Sequence, residues 1–97
     1  MTMNEFYEKY KTNKYDFASI AGVGHRSLVK YAEGQPIREN TKARIEKAMR
    51  IAEKYDLIRP EYDYSQALFW GNSYKHEFYR KVHEYEERFK RLLEEES

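Results

Sequence analysis

Apolar residues recur along this chain at helical spacing, and capping or turn residues break the pattern at intervals. Thr2-Met3-Asn4-Glu5 places a hydroxyl and a carboxylate three residues apart, as a capping box does. Phe6, Tyr7 and Tyr10 follow, so a first helix is predicted near 3–11. Asn13-Lys14-Tyr15-Asp16 repeats the capping signature, and Phe17, Ile20 and Ala21 form the apolar face of a second, short helix. Gly22-Val23-Gly24 interrupts it with a tight turn whose backbone calls for positive φ. A third helix, from about His25 to Glu33, turns Leu28 and Tyr31 inward. Gly34 is placed to end it, and Pro36 forbids its continuation. A fourth opens at Glu39 or Asn40 and runs to about Tyr55 on the stripe Ile45, Ala48, Met49, Ala52, Tyr55. Pro60 falls in a loop. Asp63-Tyr64-Ser65-Gln66 caps a brief fifth helix that Gly71-Asn72 ends. The stretch from Tyr74 to Glu95 has no Gly or Pro and predicts one last helix of roughly 33 Å, at 1.5 Å per residue. Its apolar positions, Phe78, Val82, Tyr85, Phe89 and Leu92, keep heptad spacing for about two heptads.

Composition agrees with an all-α fold. The 97 residues amount to one domain, and 36% of them are charged. Only four Gly and two Pro are present, which argues for helices and against a β-sandwich. The absence of Cys excludes disulfides, Cys-based zinc sites and thiol catalysis. No apolar run approaches the ~18 residues of a membrane span. The N-terminus lacks the basic start and apolar stretch of a signal peptide. A soluble, cytoplasmic protein without membrane association is the expectation.

The net charge of +1 conceals an uneven distribution. Residues 14–54 hold nine bases against five acids, a balance of +4, whereas residues 55–97 hold seven bases against ten acids, a balance of −3. A basic middle joined to an acidic tail suits one half that meets a polyanion and one half that does not. The corresponding division is a region over 1–58 that would meet the polyanion and a helical region over 59–97 that would not, within a single compact domain.

Residues 14–33 carry the pattern of a helix-turn-helix. Two short helices crossing steeply need a small residue where they touch, and Ala18 supplies it. Gly22 supplies the unrestricted turn position, and Val23 plugs the angle between the helices. Leu28 and Tyr31 face inward from the second helix, and Phe17 with Ala21 completes the wedge. The second helix of such a pair enters the major groove with its N-terminal residues at base edges.

Tyr15-Asp16-Phe17-Ala18-Ser19-Ile20-Ala21-Gly22-Val23 resembles the opening helix of the lac-repressor family headpiece. His25-Arg26-Ser27-Leu28-Val29-Lys30-Tyr31 resembles its recognition helix, and Thr41-Lys42-Ala43-Arg44-Ile45-Glu46-Lys47-Ala48-Met49 its third helix. The λ-repressor-like phage and plasmid regulators share this core and add a preceding helix, as residues 3–11 would here. The resemblance covers about residues 13–55 and implies a λ-repressor-like helix-turn-helix bundle with a long C-terminal helix. It further implies that His25, Arg26, Ser27 and Lys30 read bases, and that Lys14, Tyr15, Arg38 and Thr41 grip phosphates. No large sugar-binding domain follows, so no small-molecule effector is implied. Gly24 stands where the family usually has a capping Ser, which removes a possible phosphate contact.

The expected function is therefore a sequence-specific transcriptional regulator of phage or plasmid type. It would bind an inverted-repeat operator in double-stranded DNA as a homodimer, joined through Phe78, Val82, Tyr85, Phe89 and Leu92. Two alternatives are an architectural or recombination factor on direct repeats and a helix-turn-helix protein-interaction module. No catalytic residues, metal ligands or cofactor are expected: His76 and His83, seven residues apart, cannot chelate one metal without a third partner. Tyr64, Phe69 and Trp70 are expected to pack in a core or an interface rather than to line a ligand pocket. Glu94-Glu95-Glu96 reads as a frayed, solvated end.

Overall fold

A computed structural model describes residues 1–96, and those residues form six helices without a strand. The helices are α1 Met3–Tyr10, α2 Lys14–Ala21, α3 His25–Ala32, α4 Glu39–Tyr55, α5 Tyr64–Trp70 and α6 Asn72–Glu95. The starts follow the caps. Thr2 Oγ1 accepts from the Glu5 amide at 3.2 Å. Asn13 Oδ1 accepts from the amides of Tyr15 and Asp16, both at 3.0 Å, while its Nδ2 donates to Asp16 Oδ2 at 2.8 Å. Asp63 Oδ1 accepts from the Ser65 amide at 3.0 Å. Each such bond satisfies an amide that the first helical turn leaves without a partner. None of these helices is long and apolar enough to cross a membrane.

The core is built from α1, α2, α3, α4 and the second half of α6. Phe6 packs on Tyr10 and Phe17, with ring centroids 4.8 and 4.9 Å apart, and Phe17 meets Phe89 of α6 edge-on at 6.3 Å. Leu28, Ile45, Ala48, Ile51, Ala52 and Leu57 close it. Ile51 lies outside the expected α4 stripe. At 100° per residue it sits 60° beyond Ala48, and it is buried because α4 packs against α2 and α3 as well as α6. Leu57 follows Asp56, whose φ of 51° ends α4, and its amide returns to the carbonyl of Ala52 at 3.0 Å.

Two expectations for the C-terminal half require correction. Phe89, assigned to a seam between chains, lies inside this chain's own core at 1% exposure, with Tyr85 and Leu92 packed beside it. The heptad spacing therefore marks a face that α2 and α4 already cover along its second half, leaving Phe78 and Val82 half-buried. The end of α6 is also tied down: Glu96 accepts from Lys54 Nζ at 2.8 Å and from the Tyr55 hydroxyl. These bonds hold the Glu96 carboxyl below its ordinary range.

No residue from 58 to 84 belongs to the core. That segment forms a hairpin of α5 and the first half of α6, organised around Tyr62. The Tyr62 ring meets Tyr64, Tyr74 and Phe78 edge-on at 4.9, 5.3 and 5.1 Å, and the Tyr74 hydroxyl accepts from the Asp63 amide at 2.7 Å. The first half of α6 thus belongs to the hairpin and the second half to the core.

Candidate nucleic-acid interface

The turn between α2 and α3 sets the site. Gly22 ends α2 with φ 74°, a conformation that costs a residue with a side chain roughly 1–2 kcal/mol. The Val23 amide bonds back to the Ala18 carbonyl at 3.0 Å, and Val23 packs half-buried on the core. Arg44 Nη1 of α4 donates to the Gly22 carbonyl at 3.1 Å, pinning the turn from outside. Phe17, Ala18 and Ala21 are buried under it. Tyr31, half-buried, donates its hydroxyl to Glu46 of α4 at 3.2 Å. Burial first, then the bond and charge of Glu46, raises the Tyr31 pKa and keeps the phenol a donor.

With Leu28 of α3 fully buried, helical geometry fixes what faces out. Successive residues turn by 100°, so Arg26 and Lys30 point about 160° away from Leu28 on either side. Both are exposed, as is His25. Ser27 sits half-buried at the flank. Neither Arg26 nor Lys30 pairs with a carboxylate among the described residues, whereas Arg59 meets Asp16 at 3.5 Å and Arg80 meets Glu84 at 3.2 Å. Gly24 caps α3 without a side-chain bond, and no acid lies in the first turn, so the partial positive charge of that helix end is uncompensated.

Residues distant in sequence converge here. Ser27 and Lys30 line one shallow cleft with Pro36, Ile37, Arg38 and Thr41, which joins the outer face of α3 to the start of α4. On the other flank the Tyr15 ring lies 5.0 Å from the His25 ring, and Lys14 Nζ lies 5.2 Å from the Tyr15 ring. Seven of the eight residues assigned from the sequence to base or phosphate contact thus fall into two groups flanking α3's exposed face, and Arg26 is exposed on that face itself. Lys42 extends the cleft side, lining the neighbouring hollow with Tyr31 and Ile37. It escaped the sequence reading, although it lies in the first turn of α4, four residues after the N-cap Arg38.

The surface these residues make is cationic, rich in hydrogen-bond donors and lacks a deep cavity. Such a face suits a polyanion laid across it better than a small molecule enclosed by it. No family model, curated protein or solved structure matches this chain.

Proposed function

We infer that this protein is a sequence-specific DNA-binding regulator of λ-repressor-like helix-turn-helix type, with α3 as the helix that enters the major groove. One observation carries the reading: among the described residues Arg26 and Lys30 stand unpaired on α3's outward face, flanked on one side by Lys14, Tyr15 and His25 and on the other by Ser27, Arg38 and Thr41. In this reading Arg26 forks two donors onto a guanine edge, and Lys30 reaches a base one turn further along. A good bidentate pair contributes about 1–3 kcal/mol of discrimination. Lys14, Tyr15, Arg38 and Thr41 hold phosphates, which fixes register without choosing sequence. The acidic C-terminal half stays away from the duplex. Regulation is steric: an occupied operator excludes another protein. A two-fold dimer requires an inverted repeat with half-site centres about 34 Å apart, or a multiple of it.

The test is selection of bound fragments from a random duplex pool, followed by titration of the enriched sequence and a scrambled control. A preference of at least about tenfold is expected, and Arg26→Ala should reduce it by roughly 5- to 150-fold. Arg38→Ala should weaken both duplexes alike and lower the salt slope by about 1. Equal affinity for enriched and scrambled DNA would overturn the reading.

A further inference from the structure

The helix α5 presents its large apolar side chains to solvent. Leu68 is 89% exposed, Phe69 88%, Tyr64 75% and Trp70 66%. Tyr64, Phe69 and Trp70, expected in a core or an interface, are therefore outside the core. Leu68, Phe69 and Trp70 are consecutive, so they fan over about 200° of the helix circumference rather than forming one stripe. Only the Ala67 side is half-buried. A helix apolar over that much of its circumference is stable in water only when it is covered on more than one side. Nothing between Tyr64 and Trp70 is charged, in a chain whose residues are 36% charged.

We propose that a second copy of this chain covers α5, the two α5–α6 hairpins packing about a two-fold axis into a four-helix arrangement. Three observations select a second copy. First, a two-fold contact sets each patch against itself, where any charge would meet its like. An uncharged patch has no such penalty, and interface centres are characteristically poor in charge and rich in aromatics. Second, the pairing gives each α5 two new neighbours, the partner's α5 and the partner's α6, and so covers the fan. The outer side of α6 there carries Tyr79, itself more than half exposed. Third, the area is sufficient. At about 150–250 Å² for a large aromatic, these exposed side chains offer on the order of 600–800 Å², close to the ~800 Å² per partner of a stable interface.

The shape of the molecule agrees. The radius of gyration is 14.8 Å, against about 12.5 Å expected of a compact chain of this length. The longest extent is 47 Å. The hairpin, which contributes nothing to the core, is free to meet a partner while α3 stays uncovered. The pairing stands on the α5–α6 hairpin surface alone. It supplies the dimer that an inverted-repeat operator needs, but it does not depend on DNA binding.

Sedimentation equilibrium of the full chain without DNA tests it, with Trp70, the only tryptophan, as a local reporter. The wild type should sediment as a dimer of the 11.9 kDa chain, and Trp70 emission should shift to the red as dilution separates the protomers. Leu68→Ser with Phe69→Ser should raise the dimer dissociation constant by about 100-fold or more, since central aromatic anchors dominate interface energetics. Helical content should not change, because both side chains lie outside the core. A wild type that is monomeric at about 100 µM would overturn the proposal and assign the patch to a different protein, since a standard interface binds well below that concentration. A double variant that remains dimeric would also overturn it, placing the seam elsewhere. Failure of the Arg26→Ala titration would leave this result untouched, so the two readings fall separately.

Discussion

Truncating Phe89 to Ala distinguishes a core residue from an interface residue at the most deeply buried position of the heptad stripe. The Phe89 ring is 1% exposed and meets Phe17 edge-on at 6.3 Å and Tyr85 at 5.9 Å, with an interplanar angle of 90° for the second pair. Removing it deletes the burial of a large side chain and two aromatic edges, each worth about 0.5–1.5 kcal/mol beyond area. The cavity is bounded by α2 and α4 as well as α6, so the walls have little freedom to collapse. Buried Phe→Ala changes cost about 3–5 kcal/mol, and a poorly collapsing site belongs in the middle of that range, near 4 kcal/mol.

That loss is large beside the ~5–15 kcal/mol total stability of a domain this size. Urea unfolding followed by circular dichroism measures it. With a slope of about 1.5 kcal/mol/M, the midpoint should fall by roughly 2.5 M. The decisive control is protein concentration. The difference between variant and wild type should be the same at about 1 and about 100 µM, because the lost contacts lie within one chain. A cost below about 1 kcal/mol, or one that changes with concentration, would refute the packing described here and return Phe89 to a seam between chains.

Further consequences concern the turn and the buried phenol. Gly22→Ala should destabilise by about 1–2 kcal/mol through the left-handed backbone, since a Cβ there meets only Arg44 Nη1 at 3.7 Å; thermal unfolding would show it, and Gly24→Ala, with open space and ordinary φ, should cost less. Asn13→Ala removes the acceptor for two amides of α2 and should cost about 1 kcal/mol in the same assay. Burial pushes the Tyr85 pKa up to about 12. The folded state therefore keeps a proton that the unfolded chain releases above its ordinary value of 10.0, so stability is full below that point and declines as pH rises towards 12. Tyr85→Phe should flatten this alkaline decline in denaturant titrations.

The helices were legible because their ends are written in local chemistry. Asn13, Asp63 and Thr2 cap by side chains whose bonds reach only two or three residues, and Gly22 and Gly71 terminate helices by backbone freedom, so short windows of sequence suffice. The ends at Lys11 and Asp56 use positive φ without glycine and carry no comparable signal. Ile51 was missed because a stripe assumes one packed side, whereas α4 serves helices on two. Within the candidate interface, Arg26 and Lys30 came from the resemblance of residues 25–31 to a recognition helix, and the helical period sets both opposite the buried Leu28. The contact of Arg44 with the Gly22 carbonyl spans 22 residues and has no pattern to announce it.

Phe89 and Phe69 show why the apolar surface of the C-terminal half was harder to assign than its helices. Periodicity reports that a face is apolar, but it does not identify what covers that face. Phe89 keeps heptad spacing with Phe78 and Val82, yet beside Tyr85, one turn earlier on α6, it meets Phe17 of the same chain, brought close because the 56–63 connection folds back on the core. Arg59 fixes that connection: its amide bonds the Tyr10 carbonyl at 2.9 Å, and its guanidinium pairs with Asp16 at 3.5 Å. The same anchoring that swings α6 onto α2 and α4 leaves α5 outside the core, with Phe69 in water. One loop thus decides which of two apolar surfaces is covered within the chain. Along its second half the regular stripe closes the fold, and the irregular fan at the hairpin is left exposed.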